Sequence, residues 1–292
     1  MITVFTPTYN RKDRLVKLYE SLLKQNYNDF EWLIVDDGSE DDTIEYVESI
    51  KKTSLIKINY FKQKNSGKHI AFNKGVELAN GDVFICVDSD DVLAPFALKT
   101  IDNVNNRYKN NSQICGYIFQ KGYNINEPLY KHYKSKEFIA NYNEYIINGQ
   151  FKGDKCEVFK TDILKQYKFP VLDKEKFLAE GFLWSEIGST YDYVFVDKII
   201  YLCEYLKDGL TNQGRKLRIN NPLGGMYHAK FYINKNFKLI IREKNALLYM
   251  TYAQFAKFDL IELIKQSNFK ILLSINIIPS IILKKIWQSK YL

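Results

Sequence analysis

The regular alternation of strand-like and helix-like segments in the first 87 residues constrains the fold more than any other feature of this sequence. Apolar runs rich in β-branched and aromatic residues predict strands at residues 2–6, 30–35, 55–61 and 83–87. The segments between them carry apolar side chains at helical spacing, at residues 14–23, 44–50 and 70–79. This alternation favours βαβ units and a mostly parallel sheet, and therefore an α/β fold class. Ligands of such sheets bind beyond the carboxyl ends of the strands, where we expect the functional residues.

Polar residues follow three of the predicted strands, at residues 6–11 (TPTYNR), 36–39 (DDGS) and 88–91 (DSDD). Helix capping explains a lone aspartate, and Asp37 and Ser39 are placed to cap a helix expected near residue 41. Asp90 or Asp91 is similarly placed for a helix near residue 95. Asp88, Asp90 and Asp91 together indicate a metal, because Mg²⁺ takes one or two carboxylates together with substrate phosphates.

The charge balance narrows the class of partner. Forty-two lysines and arginines oppose 34 acids, and the net charge of +8 favours nucleotides or an acidic membrane surface. No RNP, zinc-finger or basic-zipper motif accompanies the lysines, so we expect no nucleic acid. The four cysteines contain no C-x-x-C pair and are expected to be reduced thiols. The N-terminal segment lacks the basic region and apolar core of a signal peptide, which predicts a cytoplasmic protein.

The pattern becomes irregular beyond residue 110. Short strands are expected at residues 115–119, 156–159 and 193–196. Helices are expected at residues 136–147 and 178–187, and the chain is mostly helical from residue 221 onward. The polar, basic and glycine-containing segment 207–221 predicts an exposed, flexible loop.

Four segments occur in the order and spacing typical of family 2 glycosyltransferases: TPTYNR, VDDGSEDDT, KNSGKHIAFNKGVELANGD and VDSDDVL. The sequence resembles bacterial capsule, exopolysaccharide and teichoic-acid members of that family, which have the GT-A fold. The motifs span residues 1–95, and a looser match extends to residue 215. The resemblance implies a Rossmann-like GT-A glycosyltransferase domain at residues 1–220, followed by a helical C-terminal region at residues 221–292.

The resemblance also implies a UDP-sugar donor, a Mn²⁺ or Mg²⁺ ion and inversion at the anomeric carbon. The donor-binding residues implied are Thr6, Pro7, Tyr9, Asp37, Lys68, Asn73, Asp88, Ser89 and Arg215. Asp37 would accept a hydrogen bond from the uracil N3–H, which suits a carboxylate because it only accepts. Asp90, with Asp88 and Asp91, would hold the metal on the diphosphate. Arg215 and Arg218, in the predicted loop, would close over the diphosphate and exclude water.

Inverting transfer also needs a base for the acceptor hydroxyl. Many relatives use a Glu-Asp pair near the start of a helix, but this chain has Glu180 followed by Gly181. Glu180 is ionised at pH 7 and suits the role, whereas Asp154 in Gly-Asp-Lys is the alternative. A helix N-terminus also explains an acid at position 180 without catalysis.

Other side chains allow two interpretations. Trp184 resembles a sugar-stacking tryptophan but has the spacing of a core residue. The three histidines show no metal-binding spacing and are expected to be structural, although His228 reaches the metal if the C-terminal region folds over the site. Residues 270–292 combine many Ile and Leu residues with four lysines and no acid. Such a tail favours either an anionic membrane surface or packing against protein, including a homodimer contact.

The sequence therefore predicts a hexosyltransferase that moves one sugar from a UDP-sugar to a hydroxyl of a bacterial surface glycan, at the inner face of the membrane if the acceptor is lipid-linked. No Q-x-x-R-W motif of processive relatives is found, which favours single transfer. One alternative is a sugar nucleotidyltransferase, which needs a glycine-rich phosphate loop that TPTYNR does not supply. Another is a basic peripheral membrane or adaptor protein whose acidic loops only cap helices.

Overall fold

The computed structural model describes residues 1–172, 174–203 and 210–292. Its strands are β1 (Ile2–Thr8), β2 (Phe30–Asp36), β3 (Lys57–Lys62), β4 (Val83–Cys86), β5 (Val92–Leu93), β6 (Ile114–Asn124), β7 (Glu127–Pro128), β8 (Glu137–Asn141), β9 (Lys155–Lys160) and β10 (Asp192–Leu202). Its helices in the first 190 residues are α1 (Lys12–Leu23), α2 (Thr43–Lys51), α3 (Lys68–Leu78), α4 (Ala97–Tyr108), α5 (Thr161–Leu164) and α6 (Gly181–Ile187). The later helices are α7 (Leu210–Asn220), α8 (Pro222–Tyr232), α9 (Leu239–Phe255), α10 (Leu260–Gln266), α11 (Lys270–Ser274) and α12 (Ile277–Tyr291).

The described chain forms two compact units. The first comprises Met1–Tyr145, Phe151–Phe169 and Leu183–Glu204, and the second comprises Ile146–Gln150, Pro170–Phe182 and Tyr205–Leu292. All the described strands belong to one sheet in the first unit, and the second unit is mainly helical. The boundary after residue 220 stays a prediction for the functional domains, since the compact units divide the chain at other points.

The N-terminal half of the sheet confirms the βαβ prediction. Strands β3, β2, β1 and β4 lie side by side in that order, and every neighbouring pair is parallel. All seven residues of β1 and of β2 are buried, which explains why both strands read as nearly continuous apolar runs. Helices α1, α2 and α3 connect them at the predicted places.

The rest of the sheet is mixed, so the predicted parallel arrangement applies only in part. β9 pairs antiparallel with both β4 and β6, whereas β6 and β10 are parallel. Gly116 allows β6 to approach β9, because a Cβ at this position would lie 2.1 Å from the carbonyl oxygen of Val158. β5 and β8 pair antiparallel with β10 and bring the segment after β4 into the same sheet.

The helix predicted at residues 136–147 is wrong. Glu137–Asn141 is strand β8, and a π-helical turn follows at Asn143–Asn148. Phe138 stacks on Phe195 of β10 at 5.2 Å, so sheet pairing buries the apolar side chain that suggested a helical stripe. The Asn141 side chain accepts from the backbone N–H of Asn143, a local bond that competes with helix formation.

The flexible loop predicted at residues 207–221 is also wrong where it can be compared. Residues 207–209 lie outside the described residues, and the part from Leu210 to Asn220 is helix α7, kinked at Gly214. Gly214 has a φ of 45°, which only glycine adopts readily. The polar composition of this segment reflects a helix with one exposed face rather than a loop.

The second unit has its own apolar core. Trp287 of α12 packs against Tyr252 and Phe255 of α9 at ring distances of 5.5 and 6.3 Å. Met250, Ala253 and Leu273 are buried in the same cluster. The prediction of a mostly helical C-terminal region is confirmed. Within the described part of the chain, no helix has both the length and the apolar character needed to cross a membrane.

Candidate active site

Three loops converge at one edge of the sheet in the first unit. β2, β1 and β4 are adjacent and parallel, so the segments that follow them leave the sheet side by side. The segments are bonded to one another: the backbone N–H of Asn10 donates to Ser39 Oγ, and that of Glu40 donates to Asn10 Oδ1, each at 2.8 Å. The predicted convergence of the polar segments is therefore confirmed for the first two loops by direct contact.

Asp37 is buried directly after β2 and organises the segment before α3. One carboxylate oxygen accepts from Gln63 Nε2 and from the N–H of Ser66, and the other accepts from the N–H of Gly67, each at 2.8 Å. A carboxylate has about four lone-pair sites, so one remains for a ligand N–H. The capping interpretation is wrong for Asp37 and for Ser39, because α2 begins after Asp42 without a capping side chain.

Gly38 makes the turn after Asp37 possible. Its φ is 90°, and a Cβ there would lie 2.9 Å from the backbone nitrogen of Asn65. A side chain at this position would be strained and would push the two segments apart. The glycine therefore lets Asp37 reach the backbone before α3.

Two buried polar side chains beside Asp37 have no protein partner in the ranges that the structure describes. They are Thr8, through Oγ1, and His69, through both ring nitrogens. The backbone carbonyl of Thr8 accepts from the N–H of Asp37, and His69 lies in the first turn of α3. Burial lowers the pKa of His69, while the charge of Asp37 opposes that shift. Orphaned buried groups are uncommon, and a bound molecule is one explanation for them.

The other predicted residues of the first loop divide into buried and exposed groups. Thr6 is fully buried, and its hydroxyl accepts from Trp32 Nε1 at 3.0 Å. Pro7 is buried within β1, where it pairs with Val35. Tyr9 lies beyond the strand and is 45% exposed, as a residue that covers a ligand has to be. Tyr9 therefore fits the predicted contact with base or ribose more directly than the other two.

The acidic turn, residues 88–91, meets cations from two other elements. Asp88 Oδ1 lies 2.7 Å from the Nζ of Lys68, the first residue of α3. Asp90 Oδ2 lies 2.6 Å from the Nη1 of Arg11, just before α1. The segments after β1 and β4 and the start of α3 are thus joined by two ion pairs. The structure places Lys68 beside the acidic turn, and its predicted contact with the donor stays a prediction; no role had been assigned to Arg11.

Tyr201 of β10 holds the same turn from the opposite end of the sheet. Its buried hydroxyl donates to Asp91 Oδ2 at 2.7 Å and accepts from the backbone N–H of Asp88 at 3.0 Å. Neither Asp90 nor Asp91 caps α4, which begins after Phe96. The capping interpretation is therefore wrong for the acidic turn too.

The surroundings shift the pKa values of Asp88, which is partly exposed, and of Asp91, which is buried, in opposite directions. Burial by itself raises the pKa of Asp88, but Lys68 and Lys121 outweigh it and the pKa is lowered overall. Burial, followed by the charge of Asp88, raises the pKa of Asp91 to about 7. Asp88 is therefore the anion of the pair, and Asp91 is poorly suited to act as an ionised metal ligand.

The residues present fit a divalent cation only together with a ligand. Nowhere in residues 1–172, 174–203 and 210–292 do three or more His, Cys, Asp or Glu side chains form a group that could hold a metal. The predicted set of Asp88, Asp90 and Asp91 is thus not a preformed metal centre. Asp88 and Asp90 still supply the two carboxylates that Mg²⁺ or Mn²⁺ takes when phosphate oxygens and water complete its shell.

Several predicted residues have structural explanations. Asn73 Nδ2 donates to the carbonyl of Phe169 at 2.8 Å, and Asn73 Oδ1 accepts from the N–H of Phe169 at 2.9 Å, so the whole amide is used without a ligand. Ser89 is buried in the acidic turn. Trp184 is buried against Phe159 at 4.6 Å, which makes it a core residue rather than a surface for sugar stacking.

The remaining candidates lie in both units. Glu180 belongs to the second unit and directly precedes α6, and Asp154 is an exposed residue of the first unit directly before β9. Arg215 is held within the second unit, where its Nη1 donates to Tyr252 Oη at 2.7 Å and its guanidinium lies 4.3 Å from the ring of Trp287. Arg215 therefore lies in helix α7, and the predicted flexible loop that would carry it to the diphosphate is wrong.

Sequence reasoning missed Arg11, Lys121 and Tyr201. Arg11 had a signal, since it ends the TPTYNR segment. Lys121 and Tyr201 had none, because only the pairing of β6 with β10 and of β10 with β5 brings them to the acidic turn.

Comparisons with known proteins agree with this geometry. Residues 3–168, more than half of the chain, match the model of the family described as glycosyl transferase family 2. A GalNAc(5)-diNAcBac-PP-undecaprenol beta-1,3-glucosyltransferase of Campylobacter jejuni is 26% identical over 238 residues, which cover 80% of this chain and 74% of that protein. Glycosyltransferase GlyA of Streptococcus pneumoniae is 27% identical over 75% of this chain, but the match covers only 32% of GlyA.

Solved structures show the same fold. Residues 1–349 of TarS from S. aureus superpose with a TM-score of 0.62 at 18% identity, covering 96% of this chain and 79% of that one. The mannosyltransferase PcManGT of Pyrobaculum calidifontis gives a TM-score of 0.58 at 16% identity, covering 99% and 82%. At these identities the likeness concerns architecture, and it confirms the predicted GT-A fold with a helical C-terminal region.

Proposed function

The chain belongs to glycosyl transferase family 2 and is a glycosyltransferase, and from this premise we propose that it transfers one sugar from a UDP-sugar to a hydroxyl of a lipid-linked bacterial surface glycan. The observation that carries the proposal is that Asp37, with one acceptor site open, and the acidic turn follow the two strands that flank β1, at the same end of the parallel sheet. Inversion at the anomeric carbon follows from the family resemblance.

The donor end of the proposal rests on the first unit. The free lone pair of Asp37 suits the imide N–H of uracil, and Tyr9 is exposed beside it for the base or ribose. Lys68 and Arg11 supply positive charge next to the acidic turn, where a diphosphate needs it. TarS has been crystallised with UDP and with UDP-GlcNAc, which supports a uridine nucleotide here.

Asp88 and Asp90 would hold a Mn²⁺ or Mg²⁺ ion on the donor diphosphate. When bound, the ion would neutralise the charge that develops on the leaving diphosphate. Lys68 and Arg11, each 29% exposed, are long enough to leave their carboxylates and contact phosphate oxygens instead. PcManGT has been solved with GDP-Man and Mn²⁺, which supports a metal in this fold.

The acceptor end of the proposal rests on the relatives and on the resemblance. The Campylobacter enzyme is named for a glycan on undecaprenyl diphosphate, which supports a lipid-linked acceptor. Glu180 is proposed as the base that removes the acceptor proton, with Asp154 as the alternative. Comparing Glu180→Gln with Asp154→Asn distinguishes them, because the base variant loses turnover while donor affinity is kept.

A lipid-linked acceptor suits an enzyme that rests on an anionic membrane surface, and α12 has the faces for it. Ser280 and Trp287 are buried on one side, whereas Ile278, Ile282 and Ile286 are 70%, 54% and 53% exposed on the other. These three isoleucines follow helical spacing and therefore share a face. Residues 270–292 add four lysines and no acid, so the surface complements acidic lipid headgroups.

Sedimentation with vesicles tests the membrane proposal. Wild type should bind vesicles that contain phosphatidylglycerol, and replacing Ile278, Ile282 and Ile286 by serine should reduce binding at least tenfold. Leu55→Ser, which changes a fully exposed residue of the first unit, is the matched control and should bind like wild type. Concentration-dependent dimerisation that the serine variant abolishes, without vesicle binding by wild type, would assign the face to a second copy of the chain.

Calorimetry with UDP, with and without Mn²⁺, tests the central proposal. A UDP-sugar transferase should release metal-dependent heat and bind UDP, and an adaptor whose acidic loops are structural should show neither. A sugar nucleotidyltransferase should instead convert a nucleoside triphosphate and a sugar phosphate to a nucleotide sugar. Absence of UDP binding by wild type would refute the proposed donor.

A further inference from the structure

A row of side chains crosses the sheet next to the acidic turn. Tyr201 of β10 pairs with Lys121 of β6. Gln120 pairs with Lys155, the first residue of β9, and Asp154 directly precedes that strand, close enough for its charge to act on Lys121. Both ends of the row belong to the first unit.

Lys121 connects the acidic turn to Asp154. Its ammonium lies 4.1 Å from the centre of the Tyr201 ring, and that tyrosine holds Asp91 and the backbone of Asp88. Burial alone lowers the pKa of Lys121, but Asp88 and Asp91, followed by Glu157 and then Asp154, raise it overall. Lys121 therefore stays a cation between the acidic turn and the carboxylate at the end of the row.

The loop before β9 holds Asp154 in a fixed place. The Nζ of Lys155 donates to the carbonyl oxygens of Lys152 and Gly153, at 2.9 and 2.7 Å. Gly153 has a φ of 86°, and a Cβ there would lie 2.7 Å from the Cβ of Tyr130. Asp154 itself is exposed, so its side chain is accessible to a ligand from solvent.

Resting on the proposed function, we propose that Asp154 and Lys121 bind hydroxyl groups of the donor sugar and contribute to the choice of sugar. A sugar hydroxyl both donates and accepts, and a carboxylate beside an ammonium satisfies both roles with charge-assisted hydrogen bonds. Tyr130, 44% exposed and in edge-to-face contact with Phe151 at 5.6 Å, offers an apolar surface for sugar C–H groups beside them. Asp88 and Asp90 are proposed to contact the metal and the diphosphate, so Asp154 and Lys121 would contact the sugar part of the donor.

The difference in affinity between UDP and a UDP-sugar isolates this contribution. We would measure UDP, UDP-GlcNAc, UDP-glucose and UDP-galactose by calorimetry with Mn²⁺, on wild type, Asp154→Asn and Lys121→Met. Asp154→Asn should bind UDP within twofold of wild type but its preferred UDP-sugar about tenfold more weakly, about 1.4 kcal/mol. Lys121→Met should weaken UDP-sugar more than UDP. Asp162→Asn, an exposed acid beyond the other end of β9, is the control and should change neither.

The other outcomes overturn the inference in distinct ways. Equal weakening of UDP and UDP-sugar by Asp154→Asn, or no weakening, removes the sugar contact. A large loss of kcat with unchanged donor KM, together with loss of the acidic limb of the pH profile, makes Asp154 the base instead. If wild type binds UDP as tightly as it binds every UDP-sugar, the proposed contact with the donor sugar is also refuted. A wild type that binds no UDP refutes the proposed function, which distinguishes the two failures. Asp154→Ala serves if the asparagine variant does not fold.

Discussion

The two units differ in which unusual side chains they contain: acids that are buried in the first, and apolar residues that are exposed in the second. In the first, acidic side chains lie inside: Asp37 and Asp91 are buried, and their hydrogen-bond partners come from distant parts of the sequence. In the second, apolar groups lie outside, as Ile278 and Ile282 of α12 do. Most exposed apolar side chains need no explanation, but a face of several on one helix indicates a partner, and buried acids indicate a ligand. In each unit, the candidates for function are therefore the residues that depart from the usual distribution of polar groups outside and apolar groups inside.

Removing the Asp90 carboxylate from its ion pair with Arg11 is expected to have the largest effect among the variants that test this difference. Asp90→Ala deletes one proposed metal ligand and should lower transfer about 100- to 1,000-fold, because charge on the leaving group is no longer neutralised. Stability should change by less than about 1 kcal/mol, since the pair with Arg11 is partly solvated. Turnover with a nucleotide-sugar donor and the thermal midpoint check both parts.

Glu48→Ala is the matched control for Asp90→Ala, because it breaks an exposed acid–lysine pair on α2 of the same unit. It should leave turnover unchanged. Normal turnover in Asp90→Ala would show that the buried polar groups of the first unit serve the fold alone, and the contrast between the units would lose its functional meaning.

Asp37→Asn should come next in size. The amide nitrogen of asparagine cannot accept, so at least one of the bonds from Gln63, Ser66 and Gly67 is lost. We expect a loss of about 1–3 kcal/mol in stability and about tenfold or greater weakening of UDP binding. Chemical denaturation and UDP titration measure these separately. Gln63→Ala removes one partner but keeps the carboxylate, and it should weaken UDP binding much less; equal losses would deny Asp37 a direct contact with the base.

The sequence predicted the part of this site that is local. Residues 6–11, 36–39 and 88–91 follow strands whose periodicity is clear, and parallel strands bring their ends together. Lys68 was named only because the segment KNSGKHIAFNKGVELANGD resembles the family motif, and local periodicity did not point to it. Tyr201 and Lys121 could not be found in this way, because their positions depend on antiparallel and irregular pairings in the second half of the sheet.

The same limit explains the errors elsewhere. The apolar positions of residues 136–147 suit a helix. Part of this segment forms strand β8 instead, because it pairs with β10. Trp184 has the same spacing in a core and at a sugar site, and its neighbours Phe159 and Phe72 decide for the core. Local periodicity predicts an element when the sequence of that element alone determines its structure. Where a segment can pair or pack in more than one way, the outcome depends on the tertiary structure.

Asp91→Asn tests what the burial of an acid costs the first unit in stability. The folded pKa of Asp91 is about 7, above its ordinary 3.8, so the folded state is disfavoured progressively as the pH rises from about 4 to about 7. Asparagine keeps an acceptor for Tyr201 without the charge. The variant should equal wild type in stability near pH 4 and exceed it by about 4 kcal/mol at pH 8. Denaturation curves across this range check it, and a difference that does not vary with pH would contradict it.

His228→Phe tests the opposite pH dependence in the second unit, with a smaller effect. Burial, followed by the charges of Arg218 and Lys244, lowers the pKa of His228 to about 3 from its ordinary 6.5. Its contribution to stability is therefore complete above pH 6.5 and is lost as the pH falls toward 3. Phenylalanine keeps the ring packed against Tyr232, 4.9 Å away, and does not titrate.

The variant should lose about 2 kcal/mol less stability than wild type between pH 7 and pH 5. Tyr227→Phe, the neighbouring position on α8, is the control, because a tyrosine hydroxyl does not ionise in this range. Identical acid profiles for wild type and His228→Phe would show that the ring reaches solvent and accepts a proton freely. The second unit would then differ from the first only in the apolar face of α12, and its acid stability would carry no information about how tightly its helices pack.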